Sequence, residues 1–277
     1  MREPFVFASD IHGPFHDKAC IELLLEYIRR YKPAHLILGG DILDIYLLNT
    51  FARGNLNGPK HLRDEMEVTK NEVILPIYEA AKNANAKVKI TWIEGNHEDR
   101  LQNRLLPRLT SVGLGAIFNL VPSIQEFFDL KKLGIKYVPS KAGNASFKLT
   151  QHLTVMHGDR GGINPARMQY TNFGASLIMG HSHKQSTWSM RMGNGDHHLA
   201  LCSGCLCEPP SYLDLHNWTL GFIAGWIDEK GSFGAWHETI VKEKKGSGYD
   251  LFSTIGHLRA EPTGKNGRYV VGGSRLT

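Results

Sequence analysis

No uninterrupted apolar run in the 277-residue chain approaches the roughly 18–20 residues that a membrane helix needs. The start, Met1-Arg2-Glu3-Pro4-Phe5, has neither the apolar stretch nor the small-residue cleavage site of a signal peptide. These absences lead to the expectation of a cytoplasmic location with no membrane partner. Cysteine is scarce, with Cys20, Cys202, Cys205 and Cys207 making up all four. The last three form a Cys-x-x-Cys-x-Cys cluster, and His197 or His198 would be the fourth zinc ligand. The second cysteine pair of a zinc ribbon is missing, so the cluster reads as reduced thiols on a partly buried strand and turn. No charge of one sign dominates: 32 Lys and Arg stand against 27 Asp and Glu, a formal net charge of +5. That balance permits an anionic substrate without requiring one. Glu229–Thr277 carries eight basic against five acidic residues, and this excess reads as a solvated tail. No internal repeat is present.

What is present is an ordinary globular composition, 42% hydrophobic and 21% charged, in a length that suits one large α/β domain or one with an insertion. Histidine is abundant, with 14 in the chain, many beside Asp, Asn or Gly. Phe5–Ser9 is a short apolar run that reads as a buried strand ending at Asp10. His16–Tyr31 places Ile21, Leu24, Leu25 and Ile28 at helical spacing, and Pro33 closes that helix. His35–Leu38 is a second strand, ending at Gly39-Gly40-Asp41. Leu62–Ala84 reads as a long helix bent at Pro76. Val88–Ile93 is a third strand, ending at Gly95-Asn96-His97. This alternation predicts parallel βαβ units, with polar clusters at the carboxyl ends of the strands, where open α/β sheets place ligands.

Leu101–Thr150 is less regular and reads as an insertion beside the site, with two amphipathic helices broken at Pro107 and Pro122. Leu153–Met156 then ends at His157-Gly158-Asp159, and Ser176–Met179 ends at Gly180-His181-Ser182-His183. Hairpins follow over Ser186–Met192 with His197–Ser203, and over Trp218–Asp228 with Ser232–Val241. From Lys244 on, glycine and charge predict a poorly ordered end.

Five strand ends thus carry Asp10-Ile11-His12, Gly40-Asp41, Gly95-Asn96-His97-Glu98, His157-Gly158-Asp159 and Gly180-His181-Ser182-His183. Each supplies imidazole, carboxylate or amide oxygen, the donors that divalent metals take. In Asp10-Ile11-His12 and in His181-Ser182-His183, an extended backbone would point both side chains the same way. Adjacent glycines would let the chain turn tightly. One such cluster is usually a cap or a turn. Five in one chain are another matter, because burying so many ionisable groups together without a cation is costly.

This ordered set resembles the calcineurin-like metallophosphoesterase superfamily, over Phe5 to about His183 through its motifs. The resemblance implies an α/β fold: a four-layer α/β/β/α sandwich of two mixed sheets flanked by helices, with the later hairpins in the second sheet. It implies a single domain over residues 1–245, with 101–150 inserted beside the site, and an extension over residues 246–277. It also implies two divalent ions, one held by Asp10, His12, Asp41 and His183, the other by Asp41, Asn96, His157 and His181. A hydroxide bridging the ions would attack phosphorus in line. His97 matches the residue that stabilises the transition state or protonates the leaving oxygen, and Asp44 matches the acid that orients it, or else is a helix-start carboxylate. Asn96, Arg100 and Arg160 are the candidate substrate contacts. Manganese is the expected ion, with Fe, Zn, Ni, Co and Mg as alternatives.

Gly40-Asp41-Ile42-Leu43-Asp44 lacks the Arg-Gly that follows the second Asp in serine/threonine protein phosphatases, which argues against such a phosphoprotein substrate. Gly95-Asn96-His97-Glu98-Asp99-Arg100, the stretch Cys205–Tyr212 and Asn217-Trp218 are similar to phage and bacterial members labelled DNA-repair exonucleases. The expected reaction is therefore phosphodiester hydrolysis of nucleic acid or a nucleotide, with Arg100, Arg104, Arg108, Lys131 and Lys132 as a phosphate-tracking surface. The alternatives are a phosphomonoesterase of small metabolites or nucleotides, and a non-catalytic binding scaffold. Oligomeric state is left open.

Overall fold

The computed structural model describes residues 1–46, 61–105, 123–140, 145–209, 217–243, 247–263 and 268–274. The helices expected around Pro107 and Pro122, and the side chains of Arg104 and Arg108, fall outside the described residues.

Strand β1 (Arg2–Ala8) shows how the core is built. Successive side chains of a strand point to opposite faces. Val6 and Ala8 enter one apolar cluster with helix α1 (Lys18–Tyr31), while Phe5 and Phe7 enter a second cluster on the other face. Covered on both faces from Phe5 to Ala8, β1 is apolar over that stretch, which is why it reads as an unbroken run there. It pairs in parallel with β2 (His35–Leu38), which pairs with β3 (Lys89–Ile93), which pairs with β4 (Ile135–Val138). Asp17 caps α1, accepting from the N–H groups of Ala19 and Cys20, and Lys32 ends it in a left-handed conformation.

The expected long helix is α2 (Leu62–Thr69) and α3 (Leu75–Ala84), joined by a wide turn over Lys70–Ile74. There the N–H of Leu75 reaches back to the carbonyl of Lys70. Pro76, in the first turn of α3, has no N–H to offer, so the bonding pattern slips one residue where proline interrupts it.

A second sheet runs β5-β6-β7-β9-β8, from β5 (Ser146–Lys148), β6 (Thr154–Met156), β7 (Leu177–Met179), β8 (Gln185–Arg191) and β9 (His197–Ser203). Val155, Ile178 and Leu201 meet Phe5, Phe7 and Ile37 between the sheets. Met156, Leu177 and Met179 pack under the helix Pro165–Phe173 on the outer side. Helices, sheet, sheet and helix make the four layers expected.

Two expectations need correction. The second hairpin, β10 (Leu220–Asp228) and β11 (Phe233–Lys242), does not join the second sheet; β10 pairs antiparallel with β1. The reason is that β10 is apolar on both faces: Phe222 and Ala224 pack toward the helices, and Ile223 and Ile227 toward the second sheet. Gly225 leaves the room that Phe5 occupies, since a Cβ there would lie 2.4 Å from its ring. The C-terminal end is also not loose where described. Strands β12 (Tyr249–Ser253), β13 (Gly256–Pro262) and β14 (Tyr269–Ser274) extend the first sheet to nine strands, ordered β14-β13-β12-β11-β10-β1-β2-β3-β4. Tyr249, Leu251, Leu258 and Ala260 are buried, and Tyr249 donates to the capping carboxylate of Asp17 at 2.7 Å. Among the described residues, no helix is long and apolar enough to cross a membrane.

Candidate metal centre

The parallel strands β1, β2 and β3 end on the same side of the first sheet, and β6 and β7 end against them from the second. Each strand hands the chain to one of the five polar clusters, so both sheets feed one buried spot. Asp10, His12, Asp41, His97 and His157 are all under 10% exposed.

The backbone there is not extended. Asp10, His12, Asp41, His181 and His183 all lie at positive φ, between 49° and 70°. Both i, i+2 pairs therefore point together through left-handed turns, which correct the extended geometry expected. Non-glycine residues persist in that region only where their surroundings hold them. Here the hold is visible: Asp10, Ile11 and His12 donate backbone N–H groups to the carbonyls of Gly40 and Asp41 at 2.9–3.0 Å. The glycines chiefly give room. A Cβ on Gly95 would lie 2.2 Å from Asp41, and one on Gly180 would lie 2.1 Å from Ser9.

The donor atoms form two adjoining groups. In one, His12 Nε2 lies 3.0 Å from His183 Nε2, and His183 Nε2 lies 3.3 Å from Asp10 Oδ1. In the other, His157 Nε2 lies 3.0 Å from Asn96 Oδ1 and 3.3 Å from Asp41 Oδ2, and His181 Nδ1 lies 2.8 Å from Asn96 Oδ1. Asp41 Oδ2 also faces His12 Nε2 at 3.9 Å, which puts it between the groups. Two ligands bonded at about 2.1 Å and set near a right angle stand about 3 Å apart, so this spacing fits donors arranged around cations.

The hydrogen bonds behind these atoms fix which lone pairs face inward. His157 Nδ1 donates to the Gly39 carbonyl at 2.9 Å, and His12 Nδ1 donates to Asp44 Oδ1 at 3.0 Å. Each ring then presents Nε2 to the cluster. Acceptors meeting head on repel unless a proton or a cation sits among them. Without a cation, the Asn96 amide turned nitrogen-inward donates to Asp41, His157 and His181, and its oxygen accepts from Arg100 Nη2 at 3.2 Å. Oxygen inward is the orientation a cation requires.

Electrostatics point the same way. Burial opposes charge on His12 and His157, yet the surrounding carboxylates push them up to about 9 and about 10. Burial would likewise raise Asp10 and Asp41. His183 outweighs it at Asp10, and His157 and His97 at Asp41, so both carboxyls are held below their usual range. His97 differs: burial, with the charges of His12 and Arg100, pushes it down to about 4. The centre attracts positive charge, while His97 beside it is kept neutral.

Asp44 touches both His12 and His97. Its carboxylate binds His12, while His97 Nδ1 meets its backbone carbonyl and stands 3.6 Å from its Oδ1. His97 Nε2 points toward Asp41 Oδ2 at 3.8 Å. Arg160 is exposed and pairs with Asp159 at 3.3 Å, at the rim. Glu98 was missed as a site residue. Fully buried, it accepts the N–H groups of Asp41, Ile42, Leu43 and Gly95 at 2.8–3.0 Å and so ties the second and third clusters together. Burial and the charge of Asp41 push its carboxyl up to about 7. The reduced state expected of the cysteines agrees with four free, buried thiols.

Two mixed sheets that deliver imidazoles and carboxylates to one buried spot define a metal-dependent phosphoric ester hydrolase. The model of the calcineurin-like phosphoesterase family matches residues 3–185, and the chain belongs to that family. Such enzymes typically bind two divalent metals. The chain is similar to the Gene 54 protein of Mycobacterium phage L5, 23% identical over 214 residues, or 73% of this chain and 78% of that protein. Among solved structures it is distantly similar to a predicted phosphoesterase from Streptococcus pneumoniae TIGR4, at 14% identity, covering 86% of this chain and 90% of that one, with TM-score 0.32. It is also similar to a dimetal phosphatase from Danio rerio, at 10% identity, covering 90% of this chain and 95% of that one, with TM-score 0.37.

Proposed function

We propose that this phosphoesterase is a phosphodiesterase of nucleic acid or a nucleotide, and that it works with two divalent cations. Asp10, His12, Asp41 and His183 hold one; Asp41, Asn96, His157 and His181 hold the other. The observation that carries the dimetal reading is the convergence of metal-donor atoms of His12 and His183, and of His157, His181 and Asn96, at 2.8–3.4 Å beside the buried carboxylates of Asp10 and Asp41. When bound, such a pair of cations lowers the pKa of a shared water and neutralises charge on the phosphoryl oxygens.

The chain's own groups do the rest. Asp44 and the Gly39 carbonyl keep the rings of His12 and His157 in the tautomer that presents Nε2. His97, held through Nδ1 by the Asp44 carbonyl, presents Nε2 on the side of Asp41 and, once it has itself taken up a proton, protonates or stabilises the leaving oxygen. Arg100, near the outer end of Asn96, offers a guanidinium to a phosphate oxygen. Manganese is the ion in which activity is expected, and the cytoplasm is the expected compartment.

A diester substrate is supported by the net charge of +5, by Arg100 at the rim and by the missing Arg-Gly after the second cluster. The test is hydrolysis of bis-para-nitrophenyl phosphate, its monoester and single-stranded DNA with Mn(II) over a range of salt. Diester turnover, and polynucleotide turnover that falls steeply with salt, are expected. Turnover of the monoester alone would make the enzyme a phosphomonoesterase. No turnover of any ester by the metal-loaded protein would make it a scaffold.

A further inference from the structure

The ligand set above contains no sulfur, yet a thiol stands against it. A ring nitrogen of His12, a ring nitrogen of His183 and Cys207 Sγ all lie within 4.8 Å of one another. Cys207 is 2% exposed, and its place is fixed by backbone rather than by chance packing. Leu206 donates its N–H to the Asp10 carbonyl at 3.1 Å and accepts from Asp17 at 2.9 Å. Cys207 itself bridges to His16, and Glu208 donates to the Phe15 carbonyl at 3.0 Å. The loop that carries Asp10 and His12 is thus laced to the segment that carries Cys207.

The other thiols of the cluster bond to backbone carbonyls, and Cys205 also touches Cys207. Cys202 donates to the Gly180 carbonyl at 3.1 Å, and Cys205 reaches the carbonyls of Thr219 and Cys207 at 3.8–3.9 Å. The two imidazoles beside Cys207 converge on the same corner. His12, 6% exposed with its Nδ1 committed to Asp44, aims Nε2 at His183 Nε2 across 3.0 Å.

We propose that Cys207 is a thiolate ligand of the cation held by Asp10, His12, Asp41 and His183. The proposal rests on the dimetal reading and deepens it. On binding, the Sγ–H bond breaks, its proton leaves to solvent, and the sulfur lone pair forms the bond to the cation. A soft donor in one of two adjoining sites makes them unlike. The site with Cys207 favours Zn, Co or Fe, and the site of Asn96, His157 and His181, with N and O donors alone, suits Mn equally well. The thiolate also makes the first site open to oxidation.

The test is spectroscopic. Protein stripped by chelator and reloaded anaerobically with Co(II) is expected to show a sulfur-to-cobalt charge-transfer band in the near ultraviolet. Cys202→Ser and Cys205→Ser should keep the band. Cys207→Ser should lose it while retaining visible cobalt bands and bound cobalt. X-ray absorption of the zinc-loaded wild type, which needs no variant to fold, should show a sulfur shell at about 2.3 Å beside nitrogen and oxygen at about 2.0–2.1 Å. Bound metal with no sulfur shell and no charge-transfer band, or a band that survives Cys207→Ser, overturns the thiolate alone. A wild type that binds no metal overturns the dimetal reading with it.

Discussion

The protein carries two dense clusters of charge, and they are closed in opposite ways. Toward the far edge of the nine-stranded sheet, Arg259 meets Glu243 at 2.6 Å, Glu261 at 2.8 Å and Asp250 at 2.9 Å, while His257 meets Asp250 at 2.7 Å. One guanidinium satisfies its carboxylates with its own fork of donors. At the strand ends, Asp10, Asp41 and Asp44 are buried among imidazoles, and among the described residues no guanidinium or ammonium pairs with them. The balancing charge there is a proton on His12 or His157, which a cation entering from outside can replace. A cluster complete in itself is structural; a buried cluster short of cations is built to bind them.

The largest effect should come from the group that the comparison makes odd, the neutral imidazole at the edge of the charged centre. His97→Ala is expected to lower kcat about 10²–10⁴-fold, as loss of an acid–base group does, with metal content unchanged. Metal analysis alongside steady-state rates separates this from a ligand's loss. An equal fall in bound metal would make His97 part of the cation shell.

Next is Glu98, which holds the centre in shape without facing it. Glu98→Ala leaves four buried N–H groups without their acceptor, and each such orphan costs about 1–3 kcal/mol. A net loss of about 3–5 kcal/mol in denaturant unfolding is expected. Glu98→Gln should restore only part of it, because one amide oxygen can serve two of the four while its NH2 faces the others. Full rescue by glutamine would show that the hydrogen bonds are not what holds the loops.

Asp44→Ala should act more mildly, through His12. Removing the acceptor that fixes a ligand ring typically weakens metal affinity about 10–100-fold. Titration of the chelator-stripped protein with Mn(II) reads it directly. An unchanged affinity with a reduced rate would return Asp44 to the task the sequence suggested, orientation of His97.

The difference between the clusters also sets how much was legible in the sequence. Strand ends could be read because the buried parts of β1, β2 and β3, covered on both faces, are mostly apolar and stop abruptly near Asp10, Gly39 and Glu94. The left-handed turns at Asp10, His12, His181 and His183 could not be read. Nothing local favours that conformation in histidine; hydrogen bonds from a neighbouring loop impose it. Glu98 looked like any carboxylate of a polar cluster, since three of its four partners are backbone groups of a segment more than 50 residues away. The hairpin of β10 and β11 was legible as a hairpin, but its sheet depended on Phe222 and Ile223 both being covered, a tertiary fact. At the C-terminal end, glycine and charge hid the alternation of Tyr249 with Leu251 and of Leu258 with Ala260. The charges there are the solvent face of strands, with Arg259 at their centre.

The smallest effect is expected at that centre. Arg259 makes more close ion pairs than any single side chain at the strand ends, so a count of contacts would rank it first. Its side chain is 33% exposed, however, and its partners Glu243 and Glu261 are 37% and 65% exposed. Water competes for every one of these charges, and holding four long side chains in one arrangement costs entropy that offsets the attraction. Arg259→Ala should therefore shift Tm by less than about 3 °C and leave metal binding and turnover unchanged. At 1 M salt, where the screening length falls to about 3 Å, the difference from wild type should vanish. A larger shift that persists in high salt would mean that the guanidinium is holding β12 and β13 through packing of its stem on the strands, and the two clusters would then be less unlike than their charges suggest.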